Sequence, residues 1–97
     1  MTGQPRSIDT ILADRLKTTQ EIAAANTEQL RLNQKAGGMM VLDMKDEEDG
    51  IDNPDLQADR ARMDAALAHN MERIHRLEAQ MAALDDELDA AVKTEES

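Results

Sequence analysis

The chain is 97 residues long, 33% charged and 40% hydrophobic, with a net charge of −10 and no Phe, Tyr, Trp or Cys. That length allows one small domain at most. Without aromatic side chains to fill a thick core, its Leu, Ile, Met and Ala suit thin helix–helix seams. Lacking cysteine excludes disulfides and thiolate metal sites, and the acidic excess disfavours nucleic-acid backbones and anionic lipid as partners.

Residues 1–6, with Pro5 among them, read as a flexible tail. Ser7 is a candidate N-cap, its hydroxyl placed to accept an orphan backbone N–H, and Asp9 suits the positive end of a helix dipole. A first helix is expected over 7–36. Its apolar stripe is Ile8, Leu12, Leu16, Ala23 and Leu30, with Thr19, Asn26 and Asn33 at the intervening seam positions and Ile11 and Ile22 widening one flank. Gly37–Gly38 supplies the left-handed cap that commonly ends a helix, and Lys35 complements its negative end. Residues 7–36 carry four basic and four acidic side chains and are neutral.

The connection expected over 37–54 opens on Met39, Met40, Val41, Leu42 and Met44, the densest apolar cluster in the chain. Methionine adapts to a partner's surface, so this strip reads either as a docking segment, adding a strand to a partner's edge or filling a groove, or, through Met39, Met40 and Leu42, as a plug for the open end of the helix pair. An acidic run follows: Asp46, Glu47, Glu48, Asp49 and Asp52, and Lys45 against six acids leaves 37–54 at −5. The run does not make a calcium loop. Placing Gly50 at the glycine position of an EF-hand puts Lys45 and Leu56 where its first and last oxygen ligands belong.

Asn53 as N-cap, Pro54 at the first helical position and Asp55 in the first turn mark the start of a second helix over 55–92. Its heptads are the strongest pattern in the chain. One column reads Arg60, Leu67, Ile74, Met81, Leu88 and the other Leu56, Met63, Asn70, Leu77, Leu84, Ala91. Spacings of three and four lay these residues along one narrow seam that only a partner helix can bury. Asn70 in that seam would select register and strand number, or else mark a partly exposed stretch. Residues 55–92 hold four basic and nine acidic side chains, again −5, and 93–97 read as a flexible tail.

The expected fold is all-α: two long helices forming an antiparallel helical hairpin or coiled coil, completed by oligomerisation or by a partner, since one narrow seam makes a thin scaffold. No cofactor or metal is expected. His69 and His75 lie six residues apart, outside the three- or four-residue spacing that lets two rings on a helix reach one ion. No Ser or Thr has a nearby histidine–acid arrangement, so a stand-alone enzyme is not expected.

A helical hairpin with acidic residues at its tip resembles, in architecture, the coiled-coil arm of Gre-type and DksA-type transcription factors. That resemblance implies entry into the RNA polymerase secondary channel, with Asp46, Glu47, Asp49 and Asp52 as tip carboxylates that help hold a metal ion. The chain departs from the DksA type in having no zinc-binding cysteines.

Two functions follow as expectations. The first is a non-enzymatic coiled-coil assembly or adaptor protein, a small structural subunit or interaction module of a larger complex. Its partner seam would be Leu56, Met63, Leu67, Asn70, Ile74, Leu77, Met81, Leu84 and Leu88. The alternative is a regulator whose acidic tip enters a basic channel or active site of a partner enzyme. In both, the partner is protein, including copies of the chain itself, and not nucleic acid, membrane or a small molecule. No signal peptide or membrane span is visible, so the expected location is the cytoplasm or a larger particle.

Overall fold

A computed structural model describes residues 6–50 and 54–96, with the side chains of Asp43, Asp46, Glu47, Glu48, Asp49 and Glu96 outside the description. The protein is all-helical among these residues: α1 spans Ile8–Asp49 and α2 spans Pro54–Glu96. Neither helix is long and apolar enough to cross a membrane.

Ser7 caps α1 as its sequence position predicts. Its Oγ accepts the Thr10 backbone N–H at 3.2 Å, and its carbonyl accepts the Ile11 N–H at 3.1 Å. The expected end at Ala36 is not where α1 stops. Neither Gly37 nor Gly38 has a positive φ, and the helix continues through both to Asp49. A helical glycine costs about 1 kcal/mol relative to alanine, which packing on either side can offset. Here Leu32 and Met39 carry the packed face across the glycine pair, beside Met63 of α2. The left-handed residue is Gly50, at φ 71°, so the chain leaves the helix one residue after Asp49. The predicted 37–54 connection is therefore helical as far as Asp49 and again from Pro54, and the Asn53 cap lies outside the described residues. At the other end α2 runs on to Glu96, past the predicted Val92, with Lys93 in its last turn 3.0 Å from Asp89.

The chain divides into two compact units, one joining Met1–Ala24 to Ile74–Ser97 and the other formed by Ala25–Arg73. In the first, Ile11 packs into a cluster with Leu84 and Ala91, flanked by Ile8 and Leu88. Arg6 bridges Asp14 and Glu87, Arg15 Nε stands 2.9 Å from Asp85 Oδ1, and Gln80 Nε2 donates to Thr18 Oγ1 at 3.2 Å. Partner numbers fall on α2 as they rise on α1, so the helices are antiparallel here. The second unit is a hairpin whose turn includes Gly50. Asn70 of α2 reaches Ala25 and Gln29 of α1, while Met63 shares a cleft with Leu32 and Met39, again an antiparallel order.

The buried seam of α2 is the predicted column: Leu56, Met63, Asn70, Leu77, Leu84 and Ala91 are all buried, with Ile74 beside them. The buried column of α1 is not the predicted one. It is Ile11, Thr18, Ala25 and Leu32 at seven-residue intervals, continued by half-buried Met39. Ile8, Arg15, Ile22, Gln29 and Ala36 fill the half-buried column beside it. Leu12, Leu16 and Leu30, together with Thr19, Ala23, Asn26 and Asn33, are exposed, in the two heptad columns beyond the half-buried one. Each unit thus closes a narrow seam, in which a buried Leu or Ile contributes ~1.5–3 kcal/mol.

Candidate interaction surface

Asn70 is the most constrained polar group in the second unit. It is 5% exposed, and its Nδ2 donates to the Ala25 carbonyl at 2.9 Å and to Gln29 Oε1 at 3.0 Å. Both amide hydrogens are therefore used. The contact depends on Ala25, which is fully buried and small enough to let an amide reach the α1 backbone. A larger residue at 25 would hold the helices apart at this level.

Thr18 plays the matching part in the first unit. Its side chain is fully buried, and Oγ1 donates to the Asp14 carbonyl at 2.9 Å while accepting from Gln80. Burying an amide without a partner costs about 1–3 kcal/mol, and Asn70 avoids that cost only when the helices stand in this register, whereas the Thr18 hydroxyl is satisfied within α1 by the Asp14 carbonyl.

The other predicted seam residues are less enclosed. Leu67, Met81 and Leu88 are half-buried and Arg60 is exposed. The column holding Leu56, Asn70 and Leu84 faces α1 squarely, and the column holding Leu67 and Met81 borders solvent except at buried Ile74.

The Met39–Met44 segment is part of α1, so it is not an extended strand available for edge pairing. Met39 turns inward and lines an 80 Å³ cleft with Ala36, Met40, Arg60, Met63 and Asp64. A second, open depression of about 300 Å³ lies beside Met39 and Met63, between Arg31, Lys35, Asp59 and Arg62. Met40, Val41, Leu42 and Met44 are exposed, and Met39 is half-buried within α1. The acidic candidates Asp46, Glu47, Glu48 and Asp49 have helical backbone in the last turn of α1, where no basic residue accompanies them. Their side chains and the whole of Asp52 lie outside the described residues.

Electrostatics elsewhere are those of solvated helix faces. Arg31 grips Glu28 through Nε, at 3.1 Å, and through Nη2, and these hydrogen bonds hold the Glu28 carboxyl below the usual glutamate range. The Arg6 guanidinium is shifted up by its hydrogen bonds to Glu87 and Asp14. His69 and His75 are both exposed, and among the described residues no three His, Cys, Asp or Glu are placed to share a metal ion.

The residues that the heptad reading of α1 misplaced are the ones now on the surface. Leu12, Leu16 and Leu30 sit on a face that α2 does not cover. Where the charges of α1 fall would have pointed to it, since charged side chains avoid that face between Leu12 and Met44. Comparison with known protein families, characterised proteins and solved structures finds no match for the chain.

Proposed function

We propose that the protein is a non-enzymatic assembly or adaptor component that works through helix–helix contact. The observation that carries this reading is where large apolar side chains remain exposed. Leu12, Leu16, Leu30, Met40, Val41, Leu42 and Met44 are all on α1, against Met71 and Val92 on α2. Single exposed apolar residues are ordinary, whereas a row of them along one helix marks an interaction surface. Within each unit the α2 heptads close against the opposite face of α1 and leave these side chains uncovered.

The test is the size of the particle that contains the protein in its source cells. Gel filtration of a gentle lysate, followed by immunodetection, should place it well above the 10.7 kDa of the free chain. Elution as free chain throughout would contradict the reading.

A second reading, a regulator acting through its acidic end, draws support from one observation. Because α1 extends to Asp49, the run Asp46–Asp49 sits at the helix end next to the hairpin turn of the second unit. Replacing Asp46, Glu47, Glu48, Asp49 and Asp52 by their amides should abolish such a regulator's effect and leave an assembly component's partners in place.

A further inference from the structure

Sorting α1 between Leu12 and Met44 by heptad column separates its charges sharply. Asp14, Glu21, Glu28 and Lys35 share one column, Lys17 and Arg31 a second, and Arg15 and Asp43 belong to a third. Three adjacent columns of five residues each carry no charge: 12-19-26-33-40, 16-23-30-37-44 and 13-20-27-34-41. Every residue in these three columns is exposed. In a chain that is one-third charged, an exposed sector with no charge is unexpected for a merely solvated face. Over a span of the same length on α2, 54–86, only the buried column and the column 54-61-68-75-82 carry no charge, and those two are not adjacent.

The sector has the character of a second seam. In the first unit it presents Leu12 and Leu16, at 43% and 61% exposure, and in the second Leu30, Met40, Val41 and Met44, at 60–65%. Between them stand Gln20, Asn26, Asn33 and Gln34, whose amides each carry donors and an acceptor. Amides of this kind pair with one another, so the face is complementary to itself. Charge decides the occupant. Two chains at −10 repel over most of their surface, and this sector is where they can approach without juxtaposing or desolvating like charges. A basic partner would instead be drawn to the acidic residues of 43–52 and of α2.

We propose that a second copy of the chain covers this sector, α1 against α1, forming a dimer through its uncharged columns. This inference deepens the assembly reading and rests on it. It also makes a distinctive salt prediction. An interface without ion pairs between two polyanions should tighten as salt screens their repulsion, whereas one built on salt bridges should loosen.

Light scattering on the purified full-length chain tests the proposal. The wild type should weigh twice 10.7 kDa, and the dissociation constant should fall as sodium chloride is raised. Leu16→Glu and Leu30→Glu, at positions already exposed, should each return the mass to one chain with unchanged helical circular dichroism. Ala82→Glu, which adds the same charge to an exposed site on α2, should leave the dimer intact. A monomeric wild type, a dimer that survives both leucine variants, one lost equally with Ala82→Glu, or one dissolved by salt would each overturn the proposal. A purified monomer from a protein that elutes in a large complex in cells sinks the dimer and spares the assembly reading. A salt-strengthened dimer that elutes only as a dimer in cells does the reverse.

Discussion

α1 and α2 are almost equal in length, at 42 and 43 residues, yet they meet each other with very different side chains. The buried column of α2 is mostly large: Leu56, Met63, Leu77 and Leu84, interrupted by Asn70 and ending on Ala91. The buried column of α1 alternates in size and polarity through Ile11, Thr18, Ala25 and Leu32. Small or polar residues on one helix receive the bulk or the amide of the other, as Ala25 receives Asn70. The largest side chains of α1 are therefore not a guide to its packed face, and several point to solvent.

Truncation should separate the two faces most strongly. Leu77→Ala and Leu84→Ala each remove a buried side chain from a seam that cannot readily refill and should cost about 2–3 kcal/mol. Leu16→Ala and Leu30→Ala should stay within about 0.5 kcal/mol, measured by urea unfolding at a concentration low enough to keep the chain monomeric. Equal losses on both faces would erase the distinction between them.

Asn70 offers the next largest contrast. Asn70→Ala should cost about 1–2 kcal/mol, because two hydrogen bonds vanish and a gap opens beside Ala25. Asn70→Leu should recover much of that stability through apolar burial while relaxing the register, visible as broadened or doubled amide resonances for residues near Ala25. A single sharp set of resonances would show that the amide does not set the register.

The glycines should respond with opposite signs. Gly38 is helical, and an added Cβ there meets nothing within 4 Å, so Gly38→Ala should stabilise α1 by about 0.5–1 kcal/mol. An added Cβ at Gly50 also meets open space, but its φ of 71° is strained for alanine, and Gly50→Ala should destabilise by about 1 kcal/mol. Both are readable as shifts in thermal midpoint.

The smallest effect belongs to the acidic end of α1. Carboxylates in the last turn oppose the helix dipole, and Glu47→Gln with Glu48→Gln should stabilise by about 0.3–1 kcal/mol each at low salt, less at high salt. Destabilisation would mean that these side chains hold contacts of their own.

The sequence made α2 legible because its seam is large and apolar at nearly every heptad, a signal that periodicity alone captures. The cap at Ser7 was equally readable, since its hydroxyl needs only the local backbone. For α1 the same test chose Leu12, Leu16 and Leu30, because it weighs hydrophobic size and cannot see that Thr18 and Ala25 are shaped by Gln80 and Asn70 across the seam. Gly37–Gly38 misled for a related reason. Local propensity favours a stop there, while Leu32 and Met39 on either side gain enough from α2 to carry the helix onward.

Because the chain contains no cysteine, one introduced thiol reports one site. The labelling rates of Leu16→Cys and Thr18→Cys, compared between dilute and concentrated protein, therefore probe both faces of α1 directly. Thr18→Cys should react slowly at every concentration, being closed off by α2, and Leu16→Cys should react fast when dilute and slow when concentrated. Equal rates at the two sites in dilute protein, or a Leu16→Cys thiol already protected there, would contradict the placement of the seam.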